Sequence, residues 1–130
     1  MGLDLTIYGT SNYGQDENGR TTWTMTVLDR LHNCWNINEI LTWKFEEYSC
    51  GTNMYIEFEQ LQEILQELKD NLQEVVTGKL TKWNNETEEH YKKRCESKKV
   101  ELESEIREFK LTLTNEDNLN FDEYYVHGSW

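Results

Sequence analysis

The sequence predicts a single α+β domain, in which a small antiparallel sheet packs against a pair of long helices. Two segments near the N-terminus alternate apolar and polar residues with period two, as strands with one buried face do, and a segment near the C-terminus is aromatic and β-branched. Two long internal segments instead repeat apolar residues every three or four positions, as amphipathic helices do. The 130 residues leave room for one hydrophobic core. We therefore expect residues 1–130 to form a small N-terminal β-hairpin and a C-terminal strand, packed with a short helix and a long antiparallel helical hairpin.

The predicted strands lie at the two ends of the chain. Residues 3–8 alternate strictly, and residues 21–28 form a second β-like run with threonines along one face. Residues 9–19 between them are polar and spaced by glycines, which predicts a long loop. Residues 124–126 are aromatic and β-branched. We expect them to share a sheet with residues 3–8, because short strands need partners for their backbone groups.

Three helices are predicted between these strands. A short helix over residues 36–47 is followed by a brief extended stretch at residues 54–56. The clearest periodicity covers residues 57–76, and a second long helix is predicted from about residue 86 to about residue 112. Lys98 and Lys99 interrupt the apolar stripe of that second helix, so we expect the helix either to project partly beyond the core there or to lay the lysine stems along it. The long helices are expected to pack antiparallel through Leu61, Ile64, Leu65, Leu68, Leu72 and Ile106.

The charge of the chain restricts its partners. Its net charge is −12, from 25 acidic and 13 basic residues. Residues 56–76 alone hold six acidic residues against Lys69. A field of this sign repels nucleic-acid phosphates and attracts basic surfaces. We therefore predict no direct nucleic-acid partner and a protein partner with a basic surface.

Other features favour a cytosolic protein. The apolar runs are too short to span a membrane, and Asp4 stands where a signal peptide would carry basic residues. The three cysteines are widely spaced and odd in number, which disfavours a disulfide framework. We predict a cytoplasmic location and no membrane contact.

A line of carboxylates on the first long helix is the strongest candidate for a binding surface. Its members follow one another at steps of four, four, three and four residues, which places rungs about 4.5 to 6 Å apart on one helix face. This spacing is comparable with that of charges along a nucleic-acid backbone, so the line could occupy a basic groove of a partner. Alternatively, it is only the solvated side of an amphipathic helix. The candidate partner-binding residues are Glu59, Glu63, Glu67, Asp70 and Glu74.

The aromatic content suggests a second function of a different class. Five tryptophans and seven tyrosines exceed what so small a core needs, so some of them are expected at the surface. Such side chains could stack on a small, nucleotide-like molecule and sequester it, with a basic group to meet a phosphate. The residues predicted for this alternative pocket are Trp23, Trp35, Trp43, Tyr55 and Arg30, and Trp83 and Tyr13 are further candidates for surface contacts.

The sequence predicts neither an enzyme nor a metal or cofactor site. Residue types that bind zinc occur at His32, Cys34, Cys50, His90 and Cys95, but without paired ligand spacing. The chain lacks a nucleophile elbow and the Gly-Lys-Ser/Thr ending of a phosphate loop. We therefore predict a non-enzymatic binding protein without a cofactor.

Several short segments, in order along the chain, resemble a known family. They are Met1-Gly2-Leu3-Asp4, the pair Trp35 and Trp43, Cys50-Gly51 leading to Tyr55, Gln60-Leu61 with Ile64-Leu65, Tyr124-Tyr125 and Ser129-Trp130. Together these are similar to uncharacterised phage and prophage proteins that open with Met-Gly-Leu-Asp-Met-Tyr-Leu and end in Tyr-Tyr-Gln-Ser-Ser-Trp. The resemblance implies a phage accessory protein with a compact α+β fold, acting in the host cytoplasm. With it we expect an inhibitor of a host defence or nucleic-acid-binding protein, with self-association through the helical hairpin as a further hypothesis.

Overall fold

A computed structural model describes residues 2–130, except for the side chains of Asn12 and Tyr13. Within this part of the chain it contains a four-stranded antiparallel sheet and three α-helices, so the predicted α+β class is confirmed. The contact predicted for Tyr13 concerns a side chain outside the described set. The elements in order are β1 (Asp4–Gln15), β2 (Thr21–His32), α1 (Trp35–Lys44), β3 (Asn53–Ile56), α2 (Phe58–Val76), α3 (Glu88–Thr114), a short 3₁₀ helix (Glu116–Asn118) and β4 (Glu123–Ser129).

The sheet joins the two ends of the chain. Its strand order is β2-β1-β4-β3, so β4 lies between β1 and β3. Ile7 is opposite Val126 and Tyr8 is opposite Tyr125, as expected from the need of each short segment for a partner. The predicted pairing of residues 3–8 with residues 124–126 is confirmed.

The predicted loop over residues 9–19 is wrong, because β1 continues to Gln15 and pairs with β2 through most of that stretch. A ladder is held by backbone groups, so polar side chains do not prevent it. Gly9 serves packing within the strand, since a Cβ there would lie 2.3 Å from Cγ of Phe121. The true turn is residues 16–20, where the Asp16 carboxylate accepts bonds from two backbone N–H groups at 2.9 Å.

The two faces of the sheet differ in what covers them. Residues facing the helices form the core with apolar residues of all three helices. On the opposite, outer face, Trp23, Val27 and Tyr55 remain between 42% and 50% exposed. The inner face carries Leu5, Ile7, Leu31, Met54, Ile56, Tyr124 and Val126.

The helical hairpin is present with the predicted boundaries to within two residues. Val75 of α2 lines one cavity with Tyr91 of α3, whereas Leu61 lines another with Phe109, so the two helices run antiparallel. α3 has 27 residues and α2 has 19, so α3 extends roughly 12 Å further. Of the predicted interface, Leu61, Ile64 and Leu68 are fully buried, and Leu65, Leu72 and Ile106 are partly buried.

The N-terminus of α1 is capped from a distant part of the chain. The buried Glu105 carboxylate of α3 accepts bonds from the backbone N–H of Ile37 at 3.0 Å and of Asn36 at 3.4 Å. It also accepts from the Asn36 side-chain amide, whose oxygen in turn accepts from Lys98. Burial raises the pKa of the Glu105 carboxyl, while these bonds and the Lys98 charge oppose the rise. Lys98, one of the two lysines that interrupt the α3 stripe, is thus bound at the core edge.

Candidate functional site

The five predicted carboxylates form a continuous line on the solvent side of α2. At about 100° per residue they fall within an arc of roughly 80°, centred about 145° away from the buried leucine side of the helix. The line is roughly 22 Å long. Glu59, Glu63, Asp70 and Glu74 are exposed, and Glu67 is half-buried. We call these five residues the acidic stripe.

The middle of the acidic stripe is partly neutralised by the neighbouring helix. Nζ of Lys44, from α1, lies 3.9 Å from Glu63 and 3.6 Å from Oε2 of Glu67. Exposed ion pairs of this kind stabilise a fold by only about 0–1 kcal/mol, so they leave the carboxylates available to a partner. Asp70 accepts a bond from Nε2 of Gln66 at 3.0 Å. Glu59 and Glu74, at the two ends of the stripe, are therefore the carboxylates most accessible to a basic group of a partner.

The negative charge of the molecule is concentrated in one segment of the chain. The four strands hold only three of the 25 acidic residues. Residues 35–76, which include α1 and α2, hold nine acidic and two basic residues. A field concentrated on one side steers and orients a basic partner better than the same charge spread evenly.

A groove opens beside the acidic stripe, where α1 approaches α2 and α3. Its cavity measures about 330 Å³ and has an apolar floor that includes Ile40, Val75 and Leu102. Trp43 stands at its edge with 83% of its surface exposed. The charged side chains along its walls are Glu39, Glu67, Glu74, Lys44 and Lys98. We call this cavity the α1–α2 groove.

One carboxylate oxygen in the α1–α2 groove lacks a hydrogen bond. Oε2 of Glu67 is buried and has no hydrogen-bond donor within reach among the described residues. The nearest cation, Nζ of Lys44 at 3.6 Å, forms an ion pair beyond hydrogen-bond distance. Sequence reasoning missed this groove, because its walls come from three helices whose packing no local pattern specifies.

The five residues predicted for one aromatic pocket are not brought together. Trp43 lines the α1–α2 groove, and Trp35 lies in the first turn of α1, 45% exposed. Trp23, Arg30 and Tyr55 lie on β2 and β3, on the outer face of the sheet. The single pocket is therefore corrected to separate surfaces, because α1 packs on the inner face of the sheet while the other three side chains point away from it.

The outer face carries a row of side chains that runs across all four strands. The register places Val27, Tyr8, Tyr125 and Tyr55 side by side. The rings of Tyr55 and Tyr125 lie 5.9 Å apart at an angle of 77°. The next row holds Arg30, Thr6, His127 and Asn53. Period-two alternation marks Tyr8 and Tyr125 as outward-facing, but only the strand order makes them neighbours.

A network of charged and aromatic side chains fixes the connection between α2 and α3. Nε and Nη2 of Arg94 donate to the Glu86 carboxylate, both at 2.9 Å, and the guanidinium lies 4.1 Å from the centre of the Trp83 ring. The Glu86 side chain is only 2% exposed. The Arg94 bonds, assisted by Trp83 and His90, lower the pKa of Glu86 to about 2. Trp83 itself stays 60% exposed, in line with its predicted surface position.

The described residues contain no cluster of metal ligands, and the buried thiol of Cys34 is poorly suited to nucleophilic chemistry. Cys34 is buried, and burial followed by the charges of Glu105 and Glu108 raises the pKa of its thiol to about 12, which disfavours the reactive thiolate. In residues 2–130, no three His, Cys, Asp or Glu side chains are grouped so as to hold a metal ion. No helix in that range is both long and apolar enough to cross a membrane.

Comparison with protein-family models, with curated proteins and with solved structures finds no match to this chain. The resemblance to phage proteins therefore stays a prediction. Function has to be inferred from the surfaces of the molecule, of which the acidic stripe, the α1–α2 groove and the outer sheet face are the candidates.

Proposed function

We propose that this chain is a non-enzymatic binding protein whose acidic stripe occupies a basic surface of a partner protein. The observation that carries the proposal is the segregation of charge: nine of the acidic residues lie in residues 35–76, against two basic ones. Five of the nine form an unbroken line on the side of α2 that faces away from the core. Such a line presents a concentrated field to a complementary basic groove.

The resemblance to phage proteins suggests what kind of partner this is. A phage accessory protein acts in the host cytoplasm, and its target there is a host defence protein or another nucleic-acid-binding protein. Basic grooves of such proteins are built to bind phosphates at intervals of several ångströms. Carboxylates spaced about 4.5 to 6 Å apart along roughly 22 Å of helix can compete for the same groove and inhibit the partner.

Charge reversal within the acidic stripe tests this proposal. The triple variant Glu59→Lys/Asp70→Lys/Glu74→Lys leaves Glu63 and Glu67, the two carboxylates that pair with Lys44, in place. A control variant with the same net charge reverses three exposed acidic residues away from α2: Glu17→Lys, Glu101→Lys and Glu116→Lys. Partners are captured from a bacterial lysate with each protein, identified by mass spectrometry, purified and titrated directly at increasing salt.

The stripe hypothesis makes a specific forecast for these proteins. The parent and the control should bind the purified partner, with an affinity that falls as salt rises, since exposed charges are screened beyond about 8–10 Å. The stripe variant should lose binding while circular dichroism shows an unchanged fold, because surface substitutions usually alter stability by less than about 0.5 kcal/mol each. Equal loss in the control would show that only net charge matters. Full binding by the stripe variant would end the proposal.

A second function, sequestration of a small nucleotide-like molecule, is favoured by the outer face of the sheet. That face combines Tyr8, Tyr55 and Tyr125 in one row with Arg30 in the next. Aromatic faces stack on bases, and the guanidinium suits a phosphate. Native mass spectrometry of the protein purified from infected cells should then show a retained ligand that the Tyr55→Ala/Arg30→Ala variant lacks.

A further inference from the structure

We infer that the α1–α2 groove is a receptor for an arginine side chain on the basic partner of the acidic stripe. The inference rests on the proposed function and adds to it the partner residue that is recognised. The groove lies at the stripe's edge, and Glu67 and Glu74 belong to both. An arginine entering it would therefore anchor the partner at the point where the stripe meets α1.

The groove has the shape and surface that an arginine side chain requires. Its apolar floor, which includes Ile40 and Val75, suits the aliphatic stem, and its volume of about 330 Å³ admits a whole side chain. Trp43 offers an exposed aromatic face at the rim. Tryptophan is the best aromatic partner for a cation, and a planar guanidinium stacks on it more readily than an ammonium does.

The groove has one more carboxylate than it has ammonium groups. Three carboxylates, from Glu39, Glu67 and Glu74, face two ammonium groups, from Lys44 and Lys98. Lys98 already donates to Asn36. A single guanidinium would bring the groove to neutrality. It would also pair with the Glu67 carboxylate, which is half-buried and whose Oε2 has no hydrogen-bond donor within the described part of the chain.

A tryptophan ring and a carboxylate already bind an arginine side chain elsewhere in this chain. Between α2 and α3, Arg94 places its guanidinium 4.1 Å from the centre of the Trp83 ring and makes two 2.9 Å bonds to the Glu86 carboxylate. The α1–α2 groove presents a tryptophan and a carboxylate without the guanidinium. The internal site shows that a tryptophan and a carboxylate together hold a guanidinium in this chain.

Titration with N-acetyl-arginine amide tests the inference without needing the partner. Binding is followed by NMR through the indole N–H of Trp43 and the side-chain amide of Asn71, which also lines the groove. N-acetyl-lysine amide is the comparison ligand. The variants are Trp43→Ala and Glu67→Gln/Glu74→Gln, with Trp35→Ala as the matched control, because Trp35 lies at the other end of the same helix.

The arginine ligand should shift both groove signals in a saturable way and bind several-fold more tightly than the lysine ligand. Trp43→Ala should weaken binding by roughly 2- to 5-fold, the range expected for loss of a cation–π contact at an exposed site. The double Gln variant should weaken it as well, and Trp35→Ala should leave it unchanged. No saturable shift with up to 50 mM arginine ligand, or equal affinity for both ligands, would overturn the inference.

These results are separable from a failure of the proposed function. If the charge-reversed stripe loses the partner but the arginine ligand never shifts the groove signals, the groove inference alone fails. If the groove binds the arginine ligand but stripe reversal leaves partner binding intact, the stripe proposal alone fails. In the complex, replacing one partner arginine should reproduce the effect of Trp43→Ala, and a double-mutant cycle should show that the two losses are not additive.

Discussion

Removing the Glu105 carboxylate should destabilise the protein through a helix that lies far away in sequence. In Glu105→Ala the backbone N–H groups of Asn36 and Ile37 lose their acceptor, and so does the Asn36 side-chain amide. Loss of a helix cap costs about 0.5–2 kcal/mol, and a buried donor left without a partner costs about 1–3 kcal/mol. Relief of a buried charge offsets part of this cost. We expect a net loss of about 2 kcal/mol, or roughly 6–10 °C in melting temperature for a chain of this size.

Urea unfolding followed by circular dichroism measures this loss. Glu103→Ala is the control, because Glu103 lies two residues away on the same helix, is exposed, and forms only a 4.0 Å ion pair with Lys99. It should change stability by less than about 0.5 kcal/mol. Glu105→Gln should fall between the two, since one amide oxygen can still accept from Ile37 while the amide nitrogen faces donors. A Glu105→Ala protein as stable as the parent would refute the capping role.

The pH dependence of this loss has a definite sign. Because burial raises the pKa of Glu105 in the folded state, folding favours the protonated carboxyl. The stability that the Glu105 carboxyl contributes is therefore fully present at pH values below its unfolded pKa. It declines as pH rises through the folded pKa. The stability gap between the parent and Glu105→Ala should be larger at pH 4 than at pH 7. A stability gap that widens as pH rises would mean that the hydrogen bonds lower the pKa of Glu105 by more than burial raises it.

Three further perturbations test the core, the sheet and the connection between the long helices. Leu68→Ala should cost about 2–5 kcal/mol in urea unfolding, because Leu68 is fully buried, and Leu65→Ala should cost less, because Leu65 is only partly buried. Deleting residues 121–130 should abolish cooperative unfolding, since β4 lies between β1 and β3 and its loss separates them; a truncated chain with a sharp transition would contradict this. The lowered pKa of Glu86 stabilises the fold above the unfolded value of 4.5, and this stability is lost as pH falls toward about 2. The difference in urea midpoint between the parent and Glu86→Gln should shrink over that range, and a constant difference would show that the Arg94 pairing does not stabilise the connection.

The long helices could be predicted because their signals are local. The apolar positions of α2 recur on one side, and its start is marked by Glu57 and Gln60, which form a reciprocal capping box. At the start of α3, the Thr87 hydroxyl accepts from the backbone N–H of His90 at 3.1 Å. Pairing of the two chain ends followed from the backbone needs of two short strands. The acidic stripe likewise depends only on helical spacing, so its residues could be named in advance.

The length of β1 could not be predicted, because the residues after Tyr8 are mostly polar or glycine and their backbone bonds to β2 leave no apolar pattern in the sequence. Strand register also decided which aromatic residues become neighbours, because it set Tyr55 beside Tyr125. Both are separated from Trp43 because α1 packs on the inner face of the sheet. A period of two specifies which face a side chain is on, but not which strand lies next to it.

The α1–α2 groove and the cap of α1 depend on contacts between residues far apart in the chain. Lys44 meets Glu67 across two helices, and Glu105 caps a helix that begins 70 residues earlier. Periodicity and capping patterns describe neighbours within about one helical turn or along one strand, so local patterns were enough for the elements and the stripe. The partners of a charged side chain depend on how those elements pack, and only the tertiary structure decided where a cation is paired and where a carboxylate oxygen is left without a hydrogen bond.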